Sequence, residues 1–228
     1  MVADSQGITS PDVAAALKPK LRGVSHQWAF VVSLIAGAAL VVLAPHAKAA
    51  VAAGIYAVTL SGLLGVSALY HRVNWSSLRK RLWMRRLDHA MIFMLIAGTY
   101  TPFALLVLQG PLAMAILVVV WAGAIAGAIS QLVWIHAPKW VMSTCGIALG
   151  WVAIAAIPQM ADRLGLVALL LLGAGGALYT LGGIVYATKK PDPAPMVFGY
   201  HEIFHALVIA AAALQFAVVA AWALPAAA

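Results

Sequence analysis

A bundle of seven transmembrane helices is the fold that three observations predict for this chain. Hydrophobic residues make up 64% of its 228 residues and charged residues only 9%, far from the balance of an ordinary soluble domain. The apolar stretches run for about 20 residues at a time, the length a helix needs to cross roughly 30 Å of hydrocarbon. Inside them the hydrophobic residues are continuous and do not alternate, which fits helices and excludes the strands of a membrane barrel.

Taken in order, the stretches predict helices over about His26–Ala44, Ala49–Tyr70, Asp88–Leu108, Pro111–Ile135, Trp140–Gln159, Leu164–Ala187 and Gly199–Leu224. Most connections are short. The exceptions are an Arg-rich stretch, 72–87, and a Pro-rich hinge, Lys189–Val197. In the first of these Trp75, Leu78 and Leu82 recur at helical spacing between cations, the pattern of a segment lying among anionic lipid headgroups or simply fixing topology. Gly123/Gly127 and Gly146/Gly150 are small-xxx-small pairs, which let helix backbones approach closely. The sequence has no internal repeat, and a single membrane domain, 23–228, is expected to follow a polar cytoplasmic tail, 1–22, that lacks the apolar core of a signal peptide.

The formal charge of +8 does not point to nucleic acid, because the cations lie between the apolar stretches. Twelve of the fourteen Lys and Arg residues fall on one side of the predicted bundle, and only Lys48 and Arg163 on the other. The positive-inside rule then places the N-terminus in the cytoplasm and, after seven passes, the C-terminus outside. Cys145 stands alone, so neither a disulfide framework nor a cysteine metal cluster is available. The outer loops near Pro45–Lys48, Gln109–Gly110 and Met160–Arg163 are too short to dock a protein ligand, and no protein partner is identifiable.

With topology assigned, the rare polar residues sort by depth. His71 closes the second helix, Asp88 opens the third, and His201 and His205 open the seventh, all at the cytoplasmic side. Ser67 lies one turn before His71 on the same face. Such residues inside a bilayer are costly and mark functional sites. Two imidazoles four residues apart share a helix face about 6 Å apart, a pairing that a metal ion can bridge. Zinc takes three neutral imidazoles and leaves a fourth tetrahedral position for water, whose pKa it lowers toward about 7. The pattern therefore predicts Zn2+ on His71, His201 and His205, Asp88 as the water's partner, and Ser67 as a hydrogen-bond donor behind it.

His201-Glu202-Ile203-Phe204-His205 also matches the H-E-x-x-H of soluble zinc proteases. Here the motif begins a membrane span, and Glu202 points about 100° away from the histidine face, so an interhelical or headgroup-level hydrogen bond is the better reading. His26 is placed at the entrance of the site, while His89 faces elsewhere and His46 and His136 fall in loops. Nucleophile-elbow, Walker and dinucleotide motifs are absent.

Ser67-Ala-Leu-Tyr-His71, then Asp88, then His201-Glu-Ile-Phe-His205 resemble the S-x-x-x-H…D…H-x-x-x-H pattern of the haemolysin III / progestin and adipoQ receptor superfamily. Ala97-Gly-Thr-Tyr-Thr-Pro-Phe103 is similar to its bacterial haemolysin III branch, and the likeness runs over about residues 20–224. It implies a seven-helix fold, a cytoplasmic-side zinc on three histidines, and an aspartate at the zinc's water. It also implies kinship with the alkaline ceramidases, which hydrolyse lipid amides. One departure stands out: Lys18-Pro-Lys-Leu-Arg-Gly-Val-Ser-His26 lacks the acidic residue and Asn that often precede the first-helix histidine.

The function expected is a multi-pass protein of the cell membrane, in a bacterium the inner membrane, with metal-dependent hydrolase-like activity on a lipid amide or ester. Membrane lipids are its expected substrate and surroundings. Two alternatives remain open at this level: a membrane-state sensor with structural zinc, and a pore-forming cytolysin.

Overall fold

A computed structural model describes residues 19–134 and 137–227, and among them the protein is all helical apart from one isolated bridge between Ala194 and Phe198. Seven α-helices follow in order: α1 (Val24–Val42), α2 (Ala47–Arg72), α3 (Leu78–Pro102), α4 (Gly110–Val133), α5 (Lys139–Gly150), α6 (Ile157–Thr188) and α7 (Tyr200–Val218). Of the tail predicted over 1–22, residues 1–18 lie outside the described residues, as does His136.

The third helix begins ten residues earlier than predicted. Residues 78–87 are its first turns, not a separate interfacial stretch, because Leu, Arg, Lys and Met are all good helix formers and nothing breaks the run into Asp88. At its other end Pro102 removes an amide donor, and the chain widens into a π turn over Phe103–Val107, closed by Leu108 N bonding Phe103 O at 2.9 Å. α7 ends in a second π turn, Val219–Ala223.

Between Lys139 and Thr188 the helical path is nearly continuous over 50 residues. Straight, it would measure about 75 Å, more than twice the hydrocarbon thickness. It folds back instead. Gly165, at φ 76° and ψ 175°, adopts a conformation open to glycine and breaks the helix. The two arms then pack side by side: the Trp151 indole donates to Thr180 Oγ1 at 3.0 Å, and Gly183 faces Ile147 and Ser143. The first arm is not the single regular helix expected over Trp140–Gln159. It tightens into a 3₁₀ stretch over Trp151–Ala156, and the Tyr100 phenol serves the break by donating to Gly150 O (2.5 Å) and accepting from Ala153 N (2.7 Å).

Packing at the glycine pairs also differs from expectation. Gly127 receives the Phe93 ring and Gly123 the end of Leu149, so the first pair admits side chains and not a neighbouring backbone. Gly150 has open space where a Cβ would be.

The outer faces of the helices remain apolar: Trp28, Ile35, Val42, Met114, Leu166 and Leu170 are all exposed. Exposed apolar surface of this extent is the surface of a protein dissolved in lipid. Among the described residues six helical stretches are long and apolar enough to cross a membrane, with Lys139–Thr188 taken as one. Tyr56, Phe93, Val120 and Val218 lie at the buried centre.

Candidate metal centre

The polar residues gather at the end of the bundle that carries the Arg-rich start of α3, here termed the basic end. His71 closes α2, Asp88 lies in the third turn of α3, and His201 and His205 occupy the first two turns of α7. All four are buried, His205 the most deeply at 1% exposure.

The three imidazoles converge. His71 Nε2 and His201 Nε2 are 3.1 Å apart, and one ring nitrogen from each of the three histidines falls within a 4.8 Å sphere of mutual distance. Their ring planes meet edge to face, at 60° to 70°. Tetrahedral zinc with bonds of 2.0–2.1 Å separates its ligand atoms by about 3.3 Å, close to the His71–His201 distance. His205 Nδ1 is buried without a hydrogen-bond partner among the described residues, and a polar atom so placed is expensive unless something completes it. Three buried imidazole donors this close together could hold a metal ion. Asp88 Oδ2 is 3.7 Å from His71 Nε2, and Ser67, 2% exposed, lines the same end of the cavity as Asp88.

Local sequence explains why these side chains meet. Gly23 has φ 77°, and a Cβ there would sit 2.5 Å from the Cβ of His71, so only glycine lets the start of α1 lie against that histidine. On its N-terminal side, Lys20 N and Leu21 N bond the carbonyls of Met196 and Val197 in the Pro-rich hinge, at 3.0 and 3.2 Å. Arg22 ion-pairs with Glu202. The other Glu202 oxygen accepts Gly199 N at 2.8 Å, and Asp192 accepts Tyr200 N at 2.9 Å. These bonds satisfy amides at the start of α7 that its own turns leave free. Glu202 is therefore a structural tie between the chain before α1 and the helix that carries two of the histidines.

Two residues sit differently from expectation. His26 is not at an entrance: it is 2% exposed and stacks face to face on His205, ring centroids 3.8 Å apart and planes 11° from parallel. The bend at Gly23 carries it inward, and no spacing rule within one helix could have shown that. His89 does not turn away from the site region. It lines one cavity with His201 and His205 and meets the Tyr186 hydroxyl at 3.3 Å. Sequence reasoning missed Tyr186, and gave Lys139 a place only in the charge count. Lys139 donates to the Tyr200 hydroxyl at 2.9 Å and lies 4.4 Å over the Tyr186 ring. His46, expected in a loop, caps α2 by accepting Ala49 N at 3.2 Å.

A cavity of about 380 Å³ starts at this cluster and runs between α3, α5, α6 and α7. Ser67, Asp88, His201 and His205 line its basic end; Leu108, Ile116 and Met160 line the far end.

Apolar outer faces, buried apolar helices and a three-histidine centre at one end define a multi-pass helical membrane protein of the cell membrane with a candidate metal site. Comparison with known sequences agrees with that class and narrows it. The chain belongs to the family described as Haemolysin-III related, whose model matches residues 14–216. It is 35% identical over 193 residues to "Hemolysin-3" of Bacillus cereus, covering 82% of this chain and 84% of that one. The "Hemolysin-3 homolog" of Bacillus subtilis (strain 168) is 32% identical over 162 residues, 71% of this chain and 72% of its own. A more distant relative, the "Monocyte to macrophage differentiation factor" of Homo sapiens, is 27% identical over 199 residues, 84% of this chain and 79% of its own.

Proposed function

We propose that this protein is a zinc-dependent membrane hydrolase that cleaves an amide or ester of a membrane lipid near the cytoplasmic leaflet. In this reading it crosses the bilayer seven times, the fold-back at Gly165 dividing Lys139–Thr188 into two passes, with the N-terminus in the cytoplasm. The cation distribution supports that orientation, since Arg72 to Arg86, Lys139, Lys189 and Lys190 all belong to the basic end. The basic start of α3 would sit in the anionic headgroup layer.

The observation that carries the proposal is a cluster of three histidines, two of which line one end of a largely apolar cavity together with the Asp88 carboxylate. His71, His201 and His205 would hold the ion. Zinc supplies Lewis acidity toward a carbonyl oxygen and makes water a usable nucleophile at neutral pH. Asp88, beside His71 and steadied by Ser67, accepts the proton released as water attacks, and can return it to the departing amine or alcohol. The apolar walls hold the acyl chain and keep bulk water from the reacting carbonyl. His26 stacks on His205 and fixes the plane of that ring.

The name of the Bacillus relatives suggests a cytolysin. A pore leaves the convergence of the buried histidines and Asp88 without a role, whereas the hydrolase reading accounts for it.

The test is turnover of a panel of lipid amides and esters by the purified, zinc-loaded protein, alongside Asp88→Asn. Hydrolysis of one class, reduced about 10²-fold or more in Asp88→Asn with metal retained, is the expected result. A zinc-loaded protein that turns over no member of the panel, or an Asp88→Asn variant as active as the parent, contradicts the reading.

A further inference from the structure

The cavity contains a second polar station, deep in the bilayer. Most hydroxyls on its wall are already used: Thr99 donates to Leu95 O at 2.9 Å, Thr180 to Gly176 O at 2.8 Å, and Tyr100 to Gly150 O. Ser143 Oγ, nearer the basic end, is buried without a partner among the described residues, and two groups deeper in the cavity also keep unused capacity. Gln215, 9% exposed, gives one N–H to Leu172 O in a long bond of 3.4 Å, and its side-chain carbonyl has no partner among the described residues. Tyr179, on the facing helix α6, lines the same cavity, and no hydrogen bond ties its hydroxyl to a described residue. An amide and a phenol left incomplete in hydrocarbon are costly, and in a membrane interior they mark ligand paths.

Depth and direction bring the two groups toward one level. Side chains on a helix lean toward its N-terminus. α6 and α7 run antiparallel, so Tyr179 leans toward the far end and Gln215 leans back toward the basic end. Gly175, one turn before Tyr179, packs directly against Gln215. Along α7 the cavity wall follows His201, His205, Val208 and Gln215. Ten residues separate His205 from Gln215, a rise of about 15 Å, or half the roughly 30 Å hydrocarbon core.

We propose that Gln215 and Tyr179 form a hydrogen-bonding subsite for a hydroxyl in the middle of a lipid acyl chain. Its ligand class is a mid-chain hydroxylated fatty acyl group whose carboxyl or amide carbonyl lies at the histidine cluster. An extended chain of 1.52 Å bonds advances about 1.3 Å per carbon, which puts the hydroxyl roughly eleven or twelve carbons from the carbonyl. Gln215 can donate its second N–H or accept at its oxygen, and Tyr179 supplies the complementary role, so a hydroxyl satisfies both. This rests on the reading of the cavity as an acyl-chain site.

Binding tests it without relying on turnover. Octadecanoic, 2-hydroxyoctadecanoic and 12-hydroxyoctadecanoic acids are compared as competitors of radiolabelled octadecanoic acid on the purified zinc-loaded protein, on Gln215→Leu and on Tyr179→Phe. The 12-hydroxy acid is expected to bind about tenfold more tightly than octadecanoic acid, the factor carried by about 1.4 kcal/mol. The 2-hydroxy acid should show no such gain. Both substitutions should bring the preference to within about twofold while octadecanoic acid binds as before. Tyr179→Phe removes only a hydroxyl, so it stands as the test should Gln215→Leu lose the contact to Leu172 and fail to fold. Equal binding of all three acids to the parent, or a preference that survives both substitutions, overturns the subsite and leaves the hydrolase reading in place. Failure of every acid to bind overturns the acyl-chain reading itself, and the subsite with it.

Discussion

The two ends of this bundle are held together by different physics. At the basic end, buried polar groups from four segments meet: His26, His71 and Asp88, then His201, Glu202 and His205. At the far end Val107, Leu164, Val218 and Val219 pack with little but apolar contact, and the irregularities are backbone ones, π turns after Pro102 and after Val218. Lipid is as apolar as a leucine side chain, so the far end gains from van der Waals packing and not from escaping water. Polar groups at the basic end carry a burial cost that packing alone does not repay. The difference teaches that the polar basic end needs a reason beyond packing, whereas the far end does not.

The largest effect should come from breaking the tie that aligns the basic end. Arg22→Ala leaves Glu202 buried at 2% exposure with no counter-ion. A loss of about 3 kcal/mol in stability is expected, read as a lowered unfolding temperature in detergent, together with metal released more readily to a chelator. Unchanged stability and metal retention would mean that the pair is idle. Phe93→Ala sharpens the contrast from the other side. Its ring is 2% exposed and fills the space at Gly127, so about 3 kcal/mol is lost, yet metal content per folded molecule should not change. His46→Ala, at the far end, removes an exposed contact to Ala227 O at 3.1 Å and one cap bond. It should cost under about 1 kcal/mol and leave metal untouched. A metal loss there as large as in Arg22→Ala would erase the distinction between the ends.

Much of the fold was legible because lipid imposes a strict length and composition on each span, and the apolar stretches therefore announce themselves. Boundaries were less legible where composition and local propensity conflict. Arg79 to Arg86 read as a loop by charge, yet they are helical by propensity. The histidine cluster could be assembled from sequence because depth along each helix follows from topology, and three imidazoles at one depth have few separations left to take. What depth cannot show is rotation and approach between helices. The stacking of His26 on His205 depends on the positive φ of Gly23, a property of one residue's backbone. The Lys139–Tyr200 bond and Gln215's place on the cavity wall depend on how α5, α6 and α7 turn toward one another, for which a single sequence holds no periodic signal.

The central claim is that the three histidines hold a metal ion that Asp88 serves without retaining it. Metal content of the purified protein, measured beside His205→Ala and Asp88→Asn, tests it most directly. About one zinc per chain is predicted, lost in His205→Ala and kept in Asp88→Asn. A protein without zinc after metal-replete growth and chelator-free purification, or a His205→Ala variant that keeps its full complement, would contradict the account.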